Sequence, residues 1–139
     1  MGALEDAGIR YLIVGGIALG LHAEPRYTKD LDVLVAVDST NSATLFGVLK
    51  EFGAPVHLVG PEEFLAEDFI FHFGLPPWRI DILTSVPGVA FDAAYNDRIR
   101  MFLGPRQVDV ISREWLIQSK KASGRIQDLA DVAKLEQAE

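Results

Sequence analysis

Cysteine is absent from the 139 residues of the chain. Its absence excludes disulfides, zinc ribbons and thiol redox motifs, and it is typical of a cytoplasmic protein. The three histidines, His22, His57 and His72, lack the paired spacing of a zinc site. We therefore expect them to be surface or partly buried side chains rather than metal ligands.

Long apolar runs and a basic leader are also missing. No run approaches the roughly 18 apolar residues that a membrane-spanning helix requires. The opening stretch, MGALEDAGIR, carries acidic side chains where a secretory signal has basic ones. The sequence thus predicts a cytoplasmic protein with no membrane association.

Positive charge is scarce, since 13 Lys and Arg residues oppose 20 Asp and Glu residues, for a formal charge of -7. This balance opposes non-specific binding to nucleic acid, although a local basic patch could still serve an RNA end. The length predicts one domain over residues 1–139, with a core that needs neither disulfides nor structural metal.

Apolar strand patterns alternate with helical ones in the first part of the chain. Residues 11–14, YLIV, predict a buried strand, and a Gly15-Gly16 turn leads into a short helix that Pro25 must end. The run DLDVLVAV over residues 30–37 is the strongest strand candidate. Ser39 or Thr40 is expected to cap the next helix, which should stop at Gly53.

The second part predicts two strands over residues 69–73 and 78–83, then a pair of strands around Gly104-Pro105. Ser112 should cap a helix, and after Gly124 a last helix carries an apolar face. That face consists of Ile126, Leu129, Ala130 and Ala133. Together these elements predict an α/β fold with a short mixed sheet flanked by helices.

Three aspartates interrupt the strand patterns. Asp30 and Asp32 alternate with apolar residues and so point to one face of their strand, and Asp81 interrupts a later strand in the same way. Each alone could mark a strand end or an exposed face. If the two strands are neighbours, the acids meet, and two carboxylates 4 Å apart repel by about 4 kcal/mol at an effective dielectric of 20. Divalent ions or basic side chains must then neutralise them, and magnesium suits such oxygen ligands.

The glycine pair predicts a phosphate-binding turn beside these acids. Glycines between a strand and a helix allow backbone N–H groups to approach a phosphate, which the helix dipole also favours. Alone the signal is weak, because neither a Walker pattern nor a complete GxGxxG is present.

Val14-Gly15-Gly16, followed by Asp30, Asp32 and later Asp81, resembles the nucleotidyltransferase superfamily that includes DNA polymerase beta. The stretches RYTKDLDV and KKASGRIQDLADV are similar to small bacterial members related to abortive-infection and toxin-antitoxin proteins. The resemblance implies a nucleotidyltransferase-like short mixed sheet flanked by helices. One departure is that the serine of the family's common Gly-Ser version is glycine here.

The resemblance also implies an activity, the magnesium-dependent transfer of a nucleoside monophosphate from a nucleoside triphosphate such as ATP to a hydroxyl group. Two magnesium ions would be bound by Asp30 and Asp32, and one of them also by Asp81, which could help to remove the acceptor proton. The acceptor is a protein, a tRNA end or a small molecule. The triphosphate would be held by five residues, namely Gly15, Gly16, Arg26, Lys120 and Arg125.

For several of these residues a purely structural role remains an alternative to ligand binding. Arg125 and Asp128 could form a solvated helix pair, and for Lys29 and Lys121 we favour a simple solvated role. Arg79 is either a phosphate ligand or an ion-pair partner of Asp81. For the whole chain, the alternative is a non-catalytic module that binds a nucleotide or a partner protein in a toxin-antitoxin-type system. An intact acid triad argues against that alternative.

Overall fold

The computed structural model describes residues 2–23, 28–75 and 78–137. Within these ranges the chain forms a mixed α/β structure with a six-stranded sheet and six α-helices. The strands are β1 (Tyr11–Val14), β2 (Asp30–Val35), β3 (Ile70–Leu75), β4 (Trp78–Leu83), β5 (Ile99–Leu103) and β6 (Arg106–Val110). The helices are α1 (Gly2–Asp6), α2 (Gly15–His22), α3 (Ser39–Glu51), α4 (Phe91–Asn96), α5 (Arg113–Ser123) and α6 (Ile126–Gln137). Short 3₁₀ turns lie at Val56–Leu58 and Pro61–Leu65.

The sheet has the strand order β3-β4-β2-β1-β6-β5. The pairs β2–β4 and β1–β6 are parallel, and the other three pairs are antiparallel. Every residue of the central strand β1 is buried, as its uninterrupted apolar sequence predicts. The prediction of a short mixed sheet flanked by helices is therefore confirmed at the level of the α/β class.

Different helices cover the two faces of the sheet. Leu4 of α1 and Leu49 of α3 lie across a small apolar cavity from Val33 and Ile82. Because side chains alternate along a strand, this face is opposite to the one that carries Asp32. The face with Asp32 is met by α2, α5 and α6 instead.

The start of α3 differs from the prediction. Asp38, rather than Ser39 or Thr40, is its N-cap, and its carboxylate accepts a hydrogen bond from the backbone N–H of Asn41 at 2.8 Å. Asp38 is also ion-paired with Arg10, which fixes the carboxylate at this helix end. Since β2 ends at Val35, two residues before the predicted end, Asp38 is free to adopt the extended conformation of a cap.

The packed face of α6 was predicted wrongly. Ile126 is 90% exposed and Leu129 52% exposed, so the expected apolar face points outward. The buried side chains of α6 are Asp128, Asp131, Val132 and Leu135. Val132 and Leu135 supply the apolar packing of this face, and Lys120 of α5 pairs with both aspartates between the two helices. The cap of α5 at Ser112 is confirmed by a hydrogen bond from the Trp115 backbone N–H at 3.2 Å.

Among the helices of residues 2–23, 28–75 and 78–137, none combines the length and apolarity that a membrane crossing needs.

Candidate active site

Asp32 and Asp81 are direct register partners on the parallel strands β2 and β4. The antiparallel neighbours extend this row, since His72 of β3 pairs with Asp81 and Val14 of β1 pairs with Asp32. Partners in register point to the same face of a sheet. The strands of Asp32 and Asp81 are therefore neighbours, which is the condition under which the acids were expected to meet, and these two carboxylates lie side by side.

The two carboxyl groups interact strongly. They are within hydrogen-bonding distance of each other, and burial, followed by this neighbour, raises the pKa of Asp32 to about 6. Burial acts on Asp81 too, but hydrogen bonds with His72 and Asp32 and the charge of Arg79 outweigh it and lower the pKa of Asp81 below its ordinary value. Between their two pKa values the pair therefore holds one proton, which is centred on Asp32.

Gly15 begins α2 directly against the Asp32 carboxylate. A Cβ at this position would overlap Oδ2 of Asp32, and the φ angle of Gly15 is +68°. Both facts require glycine, since other residues rarely adopt positive φ. At Gly16 a Cβ would lie 3.6 Å from the nearest atom, in the Thr28 side chain, which is ordinary contact. The first glycine is therefore needed by the site, and the second is not needed for steric reasons.

Asp30 takes a peripheral position. It is the exposed first residue of β2, and its backbone N–H donates to Oγ1 of Thr28 at 3.1 Å. The negative charge of Asp30 contributes to the raised pKa of Asp32, because the two carboxylates repel each other. Across residues 2–23, 28–75 and 78–137, no three His, Asp or Glu side chains form a group that could hold a metal ion. The structure thus brings Asp32 and Asp81 together and leaves Asp30 at the edge of the pair.

One cavity joins Asp32 to the C-terminal helices. Its wall includes Gly15 and Asp32 together with Lys120 and Arg125, whereas Asp81 does not line it. The rest of the lining is mixed, with apolar side chains (Leu83, Val86, Ile111 and Leu116) and polar ones (Ser119, Ser123 and Asp128). Four of the predicted site residues, far apart in sequence, therefore share a single cavity.

Lys120 and Arg125 are held by acidic partners on α6. The Lys120 side chain is 11% exposed, and its Nζ lies 3.0 Å from Oδ2 of Asp131 and 3.6 Å from Oδ1 of Asp128. Arg125 is 79% exposed and donates from Nε to Asp128 at 2.8 Å. This bond, with help from Ser123 and Lys120, lowers the pKa of Asp128 to about 2. The expected Arg125–Asp128 pair exists, but its carboxylate is buried rather than solvated.

Two neighbours of Asp81 complete the site. His72 is exposed, as predicted, and its Nδ1 lies 2.8 Å from Oδ1 of Asp81, a contact that the sequence did not predict. Arg79 donates from Nε to the same oxygen at 3.1 Å, so its predicted ion pair with Asp81 is confirmed. The sequence signal for His72 was its position between Phe71 and Phe73, because alternation turns it to the opposite face from the phenylalanines.

Three further predicted cations are Arg26, Lys29 and Lys121. Arg26 lies outside the described residues. The side chains of Lys29 and Lys121 are exposed, which agrees with a solvated role.

Comparison with models of protein families and with curated proteins gave no match.

The donor set suits a hard divalent cation. Asp32 and Asp81 provide carboxylate oxygens, the ligands that magnesium prefers. Above the Asp32 pKa of about 6 both carboxyl groups are charged, and a bound cation would remove their repulsion. The chemistry of this pair therefore fits magnesium, although among the described residues no third acidic or histidine side chain, Asp30 included, completes a group of three ligands.

Proposed function

We propose that the protein is a magnesium-dependent nucleotidyltransferase, which transfers a nucleoside monophosphate from a nucleoside triphosphate such as ATP to a hydroxyl acceptor. The observation that carries this proposal is the register pair of Asp32 with Asp81, in which Asp32 lies against Gly15 and shares a cavity with Lys120. The short mixed sheet with flanking helices supports a nucleotidyltransferase-like fold.

The cation would be held by Asp32 and Asp81, and Asp30 adds negative charge beside them. Bound there, magnesium would neutralise the triphosphate and lower the pKa of the acceptor hydroxyl. Two ions are expected from the resemblance to the superfamily. The rest of the site binds the anion, since the amides of Gly15 and Gly16 open α2 and a helix N-terminus favours phosphate.

Fixed positive charge comes from the facing helices. Lys120 and Arg125 border the cavity that contains Asp32, and can hold phosphate oxygens there. In the transfer step, the acceptor oxygen forms a bond to the α-phosphorus while the bond from that phosphorus to the bridging oxygen breaks. Pyrophosphate leaves with that oxygen, and Asp81, which is ionised at neutral pH, accepts the hydroxyl proton.

The proposal is tested by incubating the protein with magnesium and each α-labelled nucleoside triphosphate, in the presence of lysate proteins, tRNA or small alcohols. We expect pyrophosphate release and a labelled acceptor. Asp32→Asn and Asp81→Asn should abolish both. Asp92→Asn is the matched control, because Asp92 is exposed beside Arg10 at the opposite end of β1. Equal labelling by all three variants, or none by the wild type with any nucleotide, would overturn the proposal.

The second candidate is a non-catalytic nucleotide- or partner-binding module. The observation that favours it is charge compensation within the chain, because Arg79 and His72 already contact Asp81 and Lys120 already contacts two buried carboxylates. Such a module would bind a nucleotide without releasing pyrophosphate. Equilibrium binding of a labelled triphosphate beside the transfer assay therefore separates the two candidates.

A further inference from the structure

Both side-chain donors to Asp81 contact the same oxygen. Nδ1 of His72 and Nε of Arg79 lie 2.8 Å and 3.1 Å from Oδ1. The carboxylate is only 13% exposed, whereas the side chains of His72 and Arg79 are about half exposed. The two donors thus cover Oδ1 from the solvent side of the sheet and leave Oδ2 out of both contacts.

The contacts of Asp81 indicate the role of His72. The Arg79 guanidinium lies on the same carboxyl oxygen, and a cation there favours the ionised carboxylate, whose oxygens only accept hydrogen bonds. Nδ1 of His72 also lies 3.1 Å from Nη2 of Arg79, and it can make only one of these two hydrogen bonds. We assign its hydrogen to the carboxylate, because the contact with Asp81 is the shorter, at 2.8 Å, and an ionised carboxylate only accepts. This arrangement matches the way in which an outer histidine orients a carboxylate that binds a metal.

We propose that His72 is a positioning residue for Asp81, which holds Oδ1 so that Oδ2 is presented to Asp32 and to the cation between them. The nature of that cation rests on the proposed function, whereas the orientation of the carboxylate does not. Without His72, Arg79 alone contacts Oδ1, and the carboxylate can rotate about its Cβ–Cγ bond away from Asp32.

The location of His72 separates this role from simple packing. His72 lies on β3, which is the edge of the sheet, and its side chain is turned away from the face of Phe71 and Phe73. Phe71 is buried and stacks edge-on against Phe64, so the phenylalanines supply the packing of this strand. A substitution at the half-exposed His72 should leave the fold intact.

Two substitutions isolate the hydrogen bond. His72→Phe keeps a flat ring, which an edge strand accepts readily, but removes the donor. His72→Asn shortens the side chain yet places an amide N–H close to the position of Nδ1. His57→Phe serves as the matched control, because His57 is exposed in the 3₁₀ turn at Val56–Leu58.

The first measurement uses metal-free protein at pH 7.5. The ¹³C chemical shift of the Asp81 carboxyl group should move in His72→Phe, return towards the wild-type value in His72→Asn and stay unchanged in His57→Phe. The second measurement is titration with Mn²⁺ by calorimetry. We expect His72→Phe to weaken Mn²⁺ binding about 10-fold, the lower end for loss of such a partner, and His72→Asn to restore most of it.

The outcomes separate this inference from the proposed function. If the Asp81 shift is the same in His72→Phe as in the control, the positioning role is wrong, whatever the enzyme does. If that shift responds and Asn rescues it, but the wild-type protein neither binds Mn²⁺ nor transfers a nucleotide, the positioning role stands and the nucleotidyltransferase proposal falls. Mn²⁺ binding that is equal in wild type and His72→Phe would overturn the part that concerns the cation.

Discussion

Gly15 lies so close to Asp32 that any Cβ on the glycine would overlap the Asp32 carboxylate. The contact joins the turn at the end of β1 to Asp32 of β2. These two strands are adjacent and antiparallel. A phosphate at the start of α2 and a cation at Asp32 would therefore be neighbours. Gly15 and Asp32, which are separated in the sequence, are thus in direct contact in the fold.

The first prediction concerns the glycine pair. Gly15→Ala should lower the free energy of unfolding by at least about 1–2 kcal/mol, because φ is positive, and more because the methyl group displaces Asp32. Gly16→Ala should change stability little or raise it by up to about 1 kcal/mol, because Gly16 lies in a helix with room for a methyl group. Urea unfolding at pH 7 measures both. Equal losses of stability in Gly15→Ala and Gly16→Ala would contradict the contact between Gly15 and Asp32.

The second prediction is a pH dependence at Asp32. The folded pKa of about 6 lies above the ordinary value of 3.8, so the protonated carboxyl favours the fold below pH 3.8 and that advantage disappears as pH rises through 6. The shift corresponds to at most about 3 kcal/mol at pH 7, and to less in practice because water screens the partly exposed carboxylate. Asp32→Asn should therefore unfold at a higher temperature than wild type at pH 7 without metal, and at nearly the same temperature near pH 3.5.

Thermal unfolding across pH 3.5 to 8 in EDTA checks this difference, with Asp92→Asn as the control. Asp92 is exposed, so its substitution should give a difference from wild type that hardly changes with pH. If the difference in unfolding temperature between Asp32→Asn and wild type is also independent of pH, the Asp32 carboxyl group is not perturbed by Asp81.

The sequence predicted the acid pair because each aspartate interrupts an otherwise apolar strand. Asp32 lies between Leu31 and Val33, and Asp81 between Ile80 and Ile82, and alternation alone places both acids on the opposite face from these core residues. Adjacency of the strands was a further assumption, and the register confirms it. His72 could not be assigned to Asp81 in the same way, because the pairing of β3 depends on the long-range register of an edge strand.

The buried face of α6 shows where periodicity is insufficient. Ile126, Leu129, Ala130 and Ala133 have helical spacing, but Asp128, Asp131, Val132 and Leu135 have the same spacing on another face. The aspartates are buried because Lys120 meets them from α5, and a periodic pattern within α6 carries no information about that partner. Sequence patterns therefore gave the helix correctly and its orientation wrongly.

The third prediction is stabilisation by a divalent cation. At pH 7.5 magnesium should raise the unfolding temperature of the wild type, because both carboxylates are ionised above the Asp32 pKa of about 6 and a bound cation removes their repulsion. The gain is about 1.4 kcal/mol when magnesium is at ten times its Kd. Asp32→Asn and Asp81→Asn should lose most of this gain, and Asp92→Asn should keep it. Differential scanning fluorimetry with magnesium, manganese or EDTA tests this. An equal gain in all variants would indicate binding elsewhere.

The last prediction separates the two roles of Lys120. Lys120→Met should lower stability by about 3 kcal/mol or more, because it removes the ammonium from beside two buried carboxylates. Adding Asp131→Asn should recover much of that stability, since the added substitution removes one of the negative charges. The exposed Lys121→Met is the control, with a change within about 0.5 kcal/mol. Urea unfolding at pH 7 measures all four proteins.

The double variant is the informative one for function. If Lys120 also binds the triphosphate, Lys120→Met/Asp131→Asn should be folded and stable but should bind nucleotide more weakly than wild type, because the cavity beside Asp32 has lost its buried cation. If the double variant binds and transfers nucleotide like wild type, Lys120 serves only to join α5 to α6. The phosphate charge would then have to be met by Arg125 and the amides at the start of α2, which Arg125→Gln would test directly.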